Sequence, residues 1–232
     1  MIRLHVEASL AAGQTIDATA GQAHYLATVM RRSAGDAVRL FNGRDGEWEA
    51  RIAMPGRGKA AFSVETLVRP QAADADIWLM FAVLKRDTTD MVVQKATELG
   101  VSALLPVFTE RTNAARINAD RLGAIAVEAA EQSERLTVPV LHPARPLHEA
   151  LAGWPADRLL FAAMERAEAV PLKPAHGPAA LLIGPEGGFG PRDSALLERC
   201  GFVRPASLGP RILRAETAAI VGLALLLAPG CG

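Results

Sequence analysis

Two glycine-containing segments near the carboxyl end carry residue types that suit a nucleotide-like ligand. Residues 181–190 read LLIGPEGGFG, and residues 207–218 read SLGPRILRAETA. Each starts at the end of an apolar run and leads into a segment with helical spacing. Because glycine leaves the backbone bare, a ligand can approach the N–H and C=O groups closely. The segments predict two ligand-facing strand ends, and the second also carries Arg214 and Glu216.

The glycine spacing does not match the common phosphate-binding motifs. Counted from Gly184, the pattern G-x-G-x-x-G would need glycines where Glu186 and Phe189 stand. A Walker A loop needs a Gly-Lys pair, and the last lysine of the chain is Lys173. Too little chain follows the loop for the second half of a dinucleotide-binding fold, which disfavours a nicotinamide dehydrogenase. For either segment alone, an ordinary turn with solvated charges is the alternative.

The first 70 residues must fold separately, because their pattern differs from that of the rest. Short β-like segments are separated by turn residues, and one helix-like segment interrupts them. We expect strands over residues 37–41, 47–53 and 60–68 and a helix over residues 23–32. This pattern is typical of a small β-barrel or sandwich. A polar, proline-containing stretch at residues 69–76 marks the domain boundary.

From residue 77 onward, apolar runs alternate with helical spacing, which predicts an α/β domain. Residues 77–84 and 101–108 are typical of strands buried on both faces. The helix between them would be capped by Asp87 or Thr88 and would end at Gly100. This order implies a parallel pair with a right-handed crossover. We further expect strands over residues 158–164, 179–184 and 202–208 and helices over residues 120–134, 191–200 and 214–227.

Composition excludes several classes of function. The chain of 232 residues is 50% hydrophobic and 22% charged, and its 25 basic and 25 acidic residues cancel. Zero net charge gives no support to binding polyanions over the whole surface, although it allows a local basic groove. The apolar stretch 218–228 is too short to span a bilayer, so it predicts a buried helix. The two cysteines and five histidines lack metal-ligand spacing, and a reduced cytosolic setting and no metal are expected.

The two glycine segments, taken with others in the right order, resemble a known family. Residues 183–188 (IGPEGG) and 208–218 (LGPRILRAETA) are similar to the C-terminal signature of the RsmE family. These are bacterial 16S ribosomal RNA uridine-N3 methyltransferases of the SPOUT superfamily. Shorter matching segments lie at residues 24–32, 35–36, 40–43, 85–87, 94–101, 110–112, 128–135 and 138–139. The chain departs from the family pattern at Ala215, where threonine is common, and at residues 191–193.

The resemblance implies a fold and a set of ligands. It implies a PUA-like, RNA-binding β-barrel over residues 1–72 and a SPOUT methyltransferase domain over residues 73–232 whose C-terminal segment forms a trefoil knot. S-adenosyl-L-methionine would bind in the knot. The implied cofactor-binding residues are Phe108, Thr109, Glu110, Ile183, Gly184, Pro185, Glu186, Gly187, Gly188, Leu208, Gly209, Ile212, Leu213 and Thr217. The resemblance also implies a cytoplasmic homodimer acting on 16S ribosomal RNA within the small ribosomal subunit, without membrane or metal.

Methylation at N3 sets the chemical problem, because uracil N3 carries a proton at neutral pH. Arg214 is the candidate for stabilising the imide anion that remains when this proton leaves. Glu216 would be the base or would position Arg214, Glu98 is a second carboxylate candidate, and transfer of the proton to water is a third route. Candidate phosphate contacts are Arg31, Arg32, Lys85, Arg86 and Lys95.

Two other functions remain open at this point. The chain could be a SPOUT methyltransferase that acts on another RNA, since the target nucleotide rests on resemblance alone. It could also be an RNA-binding module without catalysis, in which the PUA-like domain does the binding. Cofactor binding discriminates between them, because a pure binding module would bind no S-adenosylmethionine.

Overall fold

The computed structural model describes residues 1–56, 58–112, 116–164 and 169–228, which fold into two units. The first unit contains Met1–Ala73 and Ala130–Val138, and the second contains Asp74–Ala129 and Pro139–Gly232. No pattern in the sequence indicates that the chain returns to the first unit. The expected limits, 1–72 and 73–232, count residues 130–138 with the second domain.

The first unit is built on a mixed sheet whose described residues form five strands. In chain order these are β1 (Arg3–His5), β2 (Thr15–Asp17), β3 (Ala37–Phe41), β4 (Glu47–Gly56) and β5 (Lys59–Arg69). Their order in the sheet is β1-β3-β4-β5-β2, and only the pair β1 and β3 is parallel. The three predicted strands are therefore confirmed. The sequence analysis missed β1 and β2, because three residues show no clear alternation.

The helical segment of this unit has the predicted length but lies three residues earlier than predicted. α1 (Ala20–His24) continues as a π-helical turn over Tyr25–Val29. Thr19 and Gln22 form a reciprocal capping box at its start, which fixes where the helix begins. Leu26 is completely buried in the core of the unit, beside the apolar face of the sheet.

A buried arginine ties residues 130–138 to the sheet. Nη1 of Arg3 donates to the carbonyl oxygens of Ala130 and Glu131, both at 3.0 Å, and Nη2 donates to that of Arg135 at 2.7 Å. Its Nε donates to Glu47 at 2.5 Å, and Arg69 donates to the same carboxylate at 2.8 Å. Burial alone would raise the pKa of Glu47, but the bonds from the two arginines outweigh it and the pKa is lowered.

The second unit contains a parallel sheet. Its strands are β6 (Ile77–Ala82), β7 (Ala103–Phe108), β8 (Val140–Leu141), β9 (Arg145–Pro146), β10 (Leu159–Ala163), β11 (Val170–Pro171), β12 (Ala179–Ile183) and β13 (Val203–Ser207). The sheet order is β11-β13-β10-β12-β6-β7-β8, and β9 pairs with β7. The long apolar strands were all predicted, with ends that differ by one or two residues. The two-residue strands carry no periodic signal and were missed.

Five helices connect or cover these strands, and they are α2 (Arg86–Leu99), α3 (Ala119–Gln132), α4 (Leu147–Leu151), α5 (Pro191–Arg199) and α6 (Ala215–Leu227). α2 ends as predicted at Gly100, whose φ of 101° suits a residue without a Cβ atom. Its predicted N-cap is wrong, because Lys85 and not Asp87 or Thr88 occupies that position. Instead, the hydroxyl of Thr89 bonds to both backbone groups of Leu84.

The C-terminal helix α6 packs against α2 and β12. At Gly222 the helix lies so close that a Cβ atom would stand 2.6 Å from a methyl group of Leu181. In the described part of the chain, α6 and the other helices are too short or too polar to cross a bilayer. The trefoil knot implied by the family resemblance stays a prediction.

Arg158 fixes β10 in the middle of the sheet. Its guanidinium lies 3.7 Å from the ring centroid of Trp78 and donates to the carboxylate of Asp76 and to the carbonyl oxygen of Ala179. Trp78 lies in β6, Asp76 directly precedes that strand, and Ala179 begins β12. Burial alone would raise the pKa of Asp76, but the bonds from Arg158 and Ser102 hold it below its ordinary value.

We predict that Glu47→Gln destabilises the protein at pH 7 and that the loss shrinks in acid. The amide leaves the buried Arg3 without a counter-charge, which costs about 2–3 kcal/mol. Because the folded-state pKa of Glu47 is lowered, its stabilisation is complete above the ordinary value near 4.5 and is lost as the pH falls through the folded value. Urea unfolding of both proteins at pH 7 and pH 3.5 measures the difference.

The control for this prediction is Glu65→Gln. Glu65 pairs with Arg51 on the surface, at 3.2 Å, and 44% of its side chain is exposed. We expect this variant to lose less than about 1 kcal/mol. A Glu47→Gln variant that differs from the unsubstituted protein equally at both pH values would show that the carboxylate charge contributes nothing.

Candidate active site

One cleft lies where three neighbouring parallel strands end. β10 pairs with β12 on one side and with β13 on the other, so their carboxyl ends meet at one edge of the sheet. In open α/β sheets ligands bind at this edge. The cleft has a volume of about 810 Å³. Its walls are residues 183–189 after β12, residues 206–215 at the end of and after β13, and Ala163, Met164 and Ala169 around the end of β10.

The two glycine segments predicted from the sequence meet in this cleft. The predicted cofactor residues that line it are Ile183, Gly184, Pro185, Glu186, Gly187, Gly188, Leu208, Gly209, Ile212 and Leu213. Leu208 and Leu213 are half-buried and give the wall an apolar part, whereas Ile212 is 70% exposed. Glu186 is exposed and supplies a carboxylate. The segments are separated by 16 residues in the chain. Because β10 pairs with both of their strands, it brings them to the same edge of the sheet.

Arg214 also lines the cleft, as predicted for the candidate catalytic residue. It is exposed and is the N-cap residue of α6, so its backbone position is fixed by the start of that helix. Its carbonyl oxygen accepts the N–H of Ala218 at 2.8 Å. The side chain is therefore anchored at its base and free at its tip to meet a ligand.

Four predicted cofactor residues are absent from the described lining, and they are Phe108, Thr109, Glu110 and Thr217. Glu110 instead holds the start of α5: its carboxylate accepts the N–H of Arg192 at 3.0 Å, and Asp193 accepts the N–H of Glu110 at 2.8 Å. Gly190 is required here, because a Cβ atom would stand 2.2 Å from the Glu110 carboxylate. The loop after β7 therefore supports the cleft through α5.

Arg111 is the side chain of that loop that reaches the cleft. Its Nη1 donates to the carbonyl oxygen of Gly187 at 2.6 Å, which ties the loop after β7 to the loop after β12. The turn itself is closed by hydrogen bonds between Thr109 and Thr112. From the sequence, Arg111 was noted as part of the family-matching segment 110–112, and no role was predicted for it.

The two carboxylates proposed for catalysis lie outside the described lining. Glu216 is half-buried in the first turn of α6, two residues after Arg214. Glu98 forms an ion pair with Lys95 at 2.9 Å near the carboxyl end of α2. Glu98 and Arg86 are 12 residues apart in this helix, which is roughly 18 Å at 1.5 Å per residue. The candidate base Glu98 and the candidate phosphate contact Lys95 are therefore paired with each other.

A second cleft of about 710 Å³ lies beside the first, at the ends of β6 and β12. The two share Pro185 and Glu186. The rest of its lining is Val83, Leu84, Lys85, Arg86, Thr89, Arg116, Ile117, Asn118 and Arg121. Two of the predicted RNA contacts, Lys85 and Arg86, therefore lie in one concave site. We call this site the basic cleft.

The remaining predicted RNA contacts belong to the first unit. Arg31 and Arg32 follow the π-helical turn and are exposed, with Val29 and Met30 exposed just before them. Arg31 has a φ of 50°, an uncommon conformation for a residue with a side chain. Arg32 forms a loose pair with Asp36 at 3.9 Å, and 40% of its side chain stays exposed.

The donor set of the first cleft suits an organic ligand with polar edges. Leucine side chains and Met164 supply apolar surface, and glycine-rich backbone supplies N–H and C=O groups. Within the ranges that the structure describes, no group of three or more His, Cys, Asp or Glu side chains is placed to hold a metal ion. The arrangement is that of a binding site for a small molecule next to an exposed arginine.

Comparisons with known proteins agree with this geometry. The family model described as an RNA methyltransferase domain matches residues 71–227, and that described as an RNA methyltransferase PUA domain matches residues 18–65. Ribosomal RNA small subunit methyltransferase E of Rickettsia conorii is 31% identical over 96% of this chain and 93% of its own length. The protein of the same name from Synechocystis is 34% identical over 90% of this chain and 72% of its own.

Solved structures show the same fold. The crystal structure of ribosomal RNA small subunit methyltransferase E from Neisseria gonorrhoeae, bound to S-adenosyl methionine, superposes with a TM-score of 0.86 at 28% identity, over 97% of this chain and 95% of that one. A putative methyltransferase from Legionella pneumophila, in complex with the same cofactor, gives a TM-score of 0.86 at 29% identity, over 98% and 97% of the two chains.

Proposed function

This chain belongs to the family of ribosomal RNA small subunit methyltransferase E, and we propose that it transfers a methyl group from S-adenosylmethionine to N3 of one uridine in 16S ribosomal RNA. The family and its RNA methyltransferase activity follow from the matches over most of the chain. One observation of the structure carries the proposal for the site. The loops after β12 and β13 converge on a single cleft that Arg214, the N-cap residue of α6, also lines.

The residues of the first cleft fit S-adenosylmethionine. A volume of about 810 Å³ is within the range of roughly 300–1,000 Å³ that small-molecule sites show. Backbone groups of residues 184–188 would bind the polar edge of the adenine, and Leu208 and Leu213 would pack against its faces. When bound, this cofactor supplies a methyl group on a sulfonium, which is a good leaving group. The protein therefore has to prepare the nucleophile.

Arg214 prepares the nucleophile by stabilising a charge. When uracil N3 loses its proton, the negative charge spreads over O2 and O4. A guanidinium presents several N–H donors in a rigid plane and stays charged at any physiological pH, so it can bond to one of these oxygens. Its place at the N-cap of α6 adds the partial positive charge of the helix start. These two effects favour the anion over the neutral base.

The N3 proton is best assigned to water. Glu216 is two residues from Arg214 but is not among the described lining residues, and Glu98 is engaged with Lys95. Glu216 would then be a positioning residue, which restricts the orientation of the Arg214 side chain from the first turn of α6. Under this proposal the rate of methylation rises with pH as the uracil anion becomes more populated.

The substrate proposal also assigns partners and a place of action. RNA of the small ribosomal subunit would be bound by the first unit, in which Arg31 and Arg32 are exposed, and by the second unit around Lys85 and Arg86. Because that substrate is in the cytoplasm, we place the enzyme there as well. The knotted path expected of the family is part of the same proposal.

We also propose that two copies associate through α6. The helix is apolar on nearly all sides, and Val221 and Leu225 are only half-buried in one chain, with Ala224 exposed between them. Since a second copy would cover these residues, we expect a dimer in sedimentation equilibrium. Val221→Glu/Leu225→Glu should shift the protein to monomers and reduce methylation at least tenfold. A strictly monomeric protein with full activity would contradict the proposal.

The proposed function is tested by methylation of small ribosomal subunits. Subunits from a strain that lacks its own enzyme of this type are incubated with the protein and labelled S-adenosylmethionine, and the digested RNA is analysed by mass spectrometry. We expect a single N3-methyluridine in the 16S RNA. No incorporation with cofactor binding intact in calorimetry would assign the enzyme to another RNA. No incorporation and no cofactor binding would make it a non-catalytic RNA-binding module.

We predict that Arg214→Ala lowers the rate of methylation by at least about 100-fold, the usual cost of removing a donor to a developing anion. The affinity for S-adenosylmethionine should change little, and Arg214→Lys should retain part of the activity because it keeps the charge. Arg199→Ala is the control, since Arg199 is exposed on α5 and lines neither cleft. Full activity of Arg214→Ala would exclude this residue from the mechanism.

A further inference from the structure

We propose that the basic cleft binds one nucleotide of the substrate RNA, with the phosphate on its cationic rim and the base on its apolar floor. This inference rests on the proposed function for the identity of the ligand as RNA. It adds a second binding site to the cofactor cleft and assigns roles to Arg116, Ile117 and Asn118, residues in which the sequence showed no pattern.

The basic cleft has an excess of positive charge. Four basic side chains line the basic cleft, namely Lys85, Arg86, Arg116 and Arg121, whereas Glu186 is the one acidic residue of the described lining. The whole chain has zero net charge, so this is a local concentration of positive charge. No described residue forms an ion pair with Lys85, Arg86 or Arg116, and all three are exposed. An anion such as a phosphodiester compensates these charges.

The floor of the cleft has a different chemistry from its rim. Val83 and Leu84, at the end of β6, are 3% and 4% exposed, and Pro185 and Ile117 complete an apolar surface. A free phosphate would gain nothing from this surface. A nucleotide matches both parts, because its base is apolar on its faces and its phosphate is anionic. The cleft volume of about 710 Å³ is in the range of small-molecule sites.

The cationic rim is held in place by neighbouring elements. Arg121, in the first turn of α3, donates to the carboxylate of Asp90 on α2. The side chain of Asn118 accepts the N–H of Arg121 at 3.0 Å and so caps α3. These bonds fix one side of the cleft, and the start of α2 at Lys85 fixes the other. Arg121 and the backbone on both sides of the rim are therefore ordered before an anion binds, which lowers the entropy cost of binding.

The position of Glu186 orients the nucleotide. This exposed carboxylate lines both clefts, whereas Lys85, Arg86, Arg116 and Arg121 line the basic cleft alone. Repulsion between anions keeps a phosphate away from Glu186 and toward Lys85 and Arg116. The base then points to the wall that contains Pro185 and Glu186, beyond which the cofactor cleft begins. The bound nucleotide is thus adjacent to the point of methyl transfer.

The inference is tested by RNA binding, which needs no methylation. An unmodified transcript of 16S ribosomal RNA is titrated with the protein at several salt concentrations, and Lys85→Ala/Arg116→Ala is compared with the unsubstituted chain. We expect the variant's Kd for RNA to rise about tenfold at 0.15 M salt. Because each neutralised phosphate contributes about 0.7–0.9 to the slope of log K against log salt, loss of this one phosphate contact should lower the slope by about that amount. Binding of S-adenosylmethionine should be unchanged.

The matched control removes two charges elsewhere. Arg199→Ala/Arg204→Ala changes two exposed arginines of the second unit that line neither cleft, and it should bind RNA as the unsubstituted chain does. Ile117→Ser tests the floor and should weaken RNA binding without changing the salt slope. If the Lys85 and Arg116 variant matches the control in Kd and slope while its urea unfolding is normal, the proposal is wrong. A chain that binds RNA through these residues but methylates nothing refutes the proposed function alone.

Discussion

The position of β10 between β12 and β13 is the constraint on which the candidate site depends. Only because these strands are parallel neighbours do residues 183–189 and 206–215 lie at one edge and enclose one cleft. Arg158 contributes to this order from the opposite end of β10, where it bonds to Asp76 and packs on Trp78. Its buried charge is compensated by the carboxylate and the aromatic ring, so the cost of burying it is offset. If β10 did not lie between β12 and β13, the loops after those two strands would be separated.

The loops themselves have little regular structure, and contacts between neighbouring elements hold them. The Glu110 carboxylate accepts the N–H of Arg192, and Asp193 accepts the N–H of Glu110. These bonds fix the start of α5, while Arg111 donates to the carbonyl oxygen of Gly187. On the other side, Gly222 allows α6 to lie directly against Leu181. These contacts order the cleft before any ligand arrives, which lowers the entropy cost of binding. The first unit uses the same device, since Arg3 orders residues 130–138 through their carbonyl oxygens.

The sequence predicted those parts of the fold that leave a periodic or local signal. Long apolar strands such as β6 and β12 and the glycine loops after β12 and β13 were identified, and the loops line the cleft as expected. The role of Glu110 was not predictable, because its partner Asp193 is 83 residues away. Met164 was missed for a similar reason: the sheet order that brings β10 between the other strands is a tertiary property. The return of residues 130–138 to the first unit depends on Arg3, which no local pattern connects to them.

The charges of the two clefts indicate that one cleft promotes methyl transfer and the other provides affinity for RNA. Methyl transfer from a sulfonium to a uracil anion removes a positive and a negative charge together, so the transition state is less charged than the reactants. A guanidinium that binds the anion therefore stabilises the reactants at least as much as that transition state. Arg214 helps chiefly by increasing the fraction of uracil that has lost its proton, and too strong a bond would slow the transfer. An exposed arginine, whose interaction solvent weakens, meets this requirement better than a buried one. Affinity for the RNA then has to come from elsewhere, and the cations of the basic cleft supply it without touching the reacting atoms.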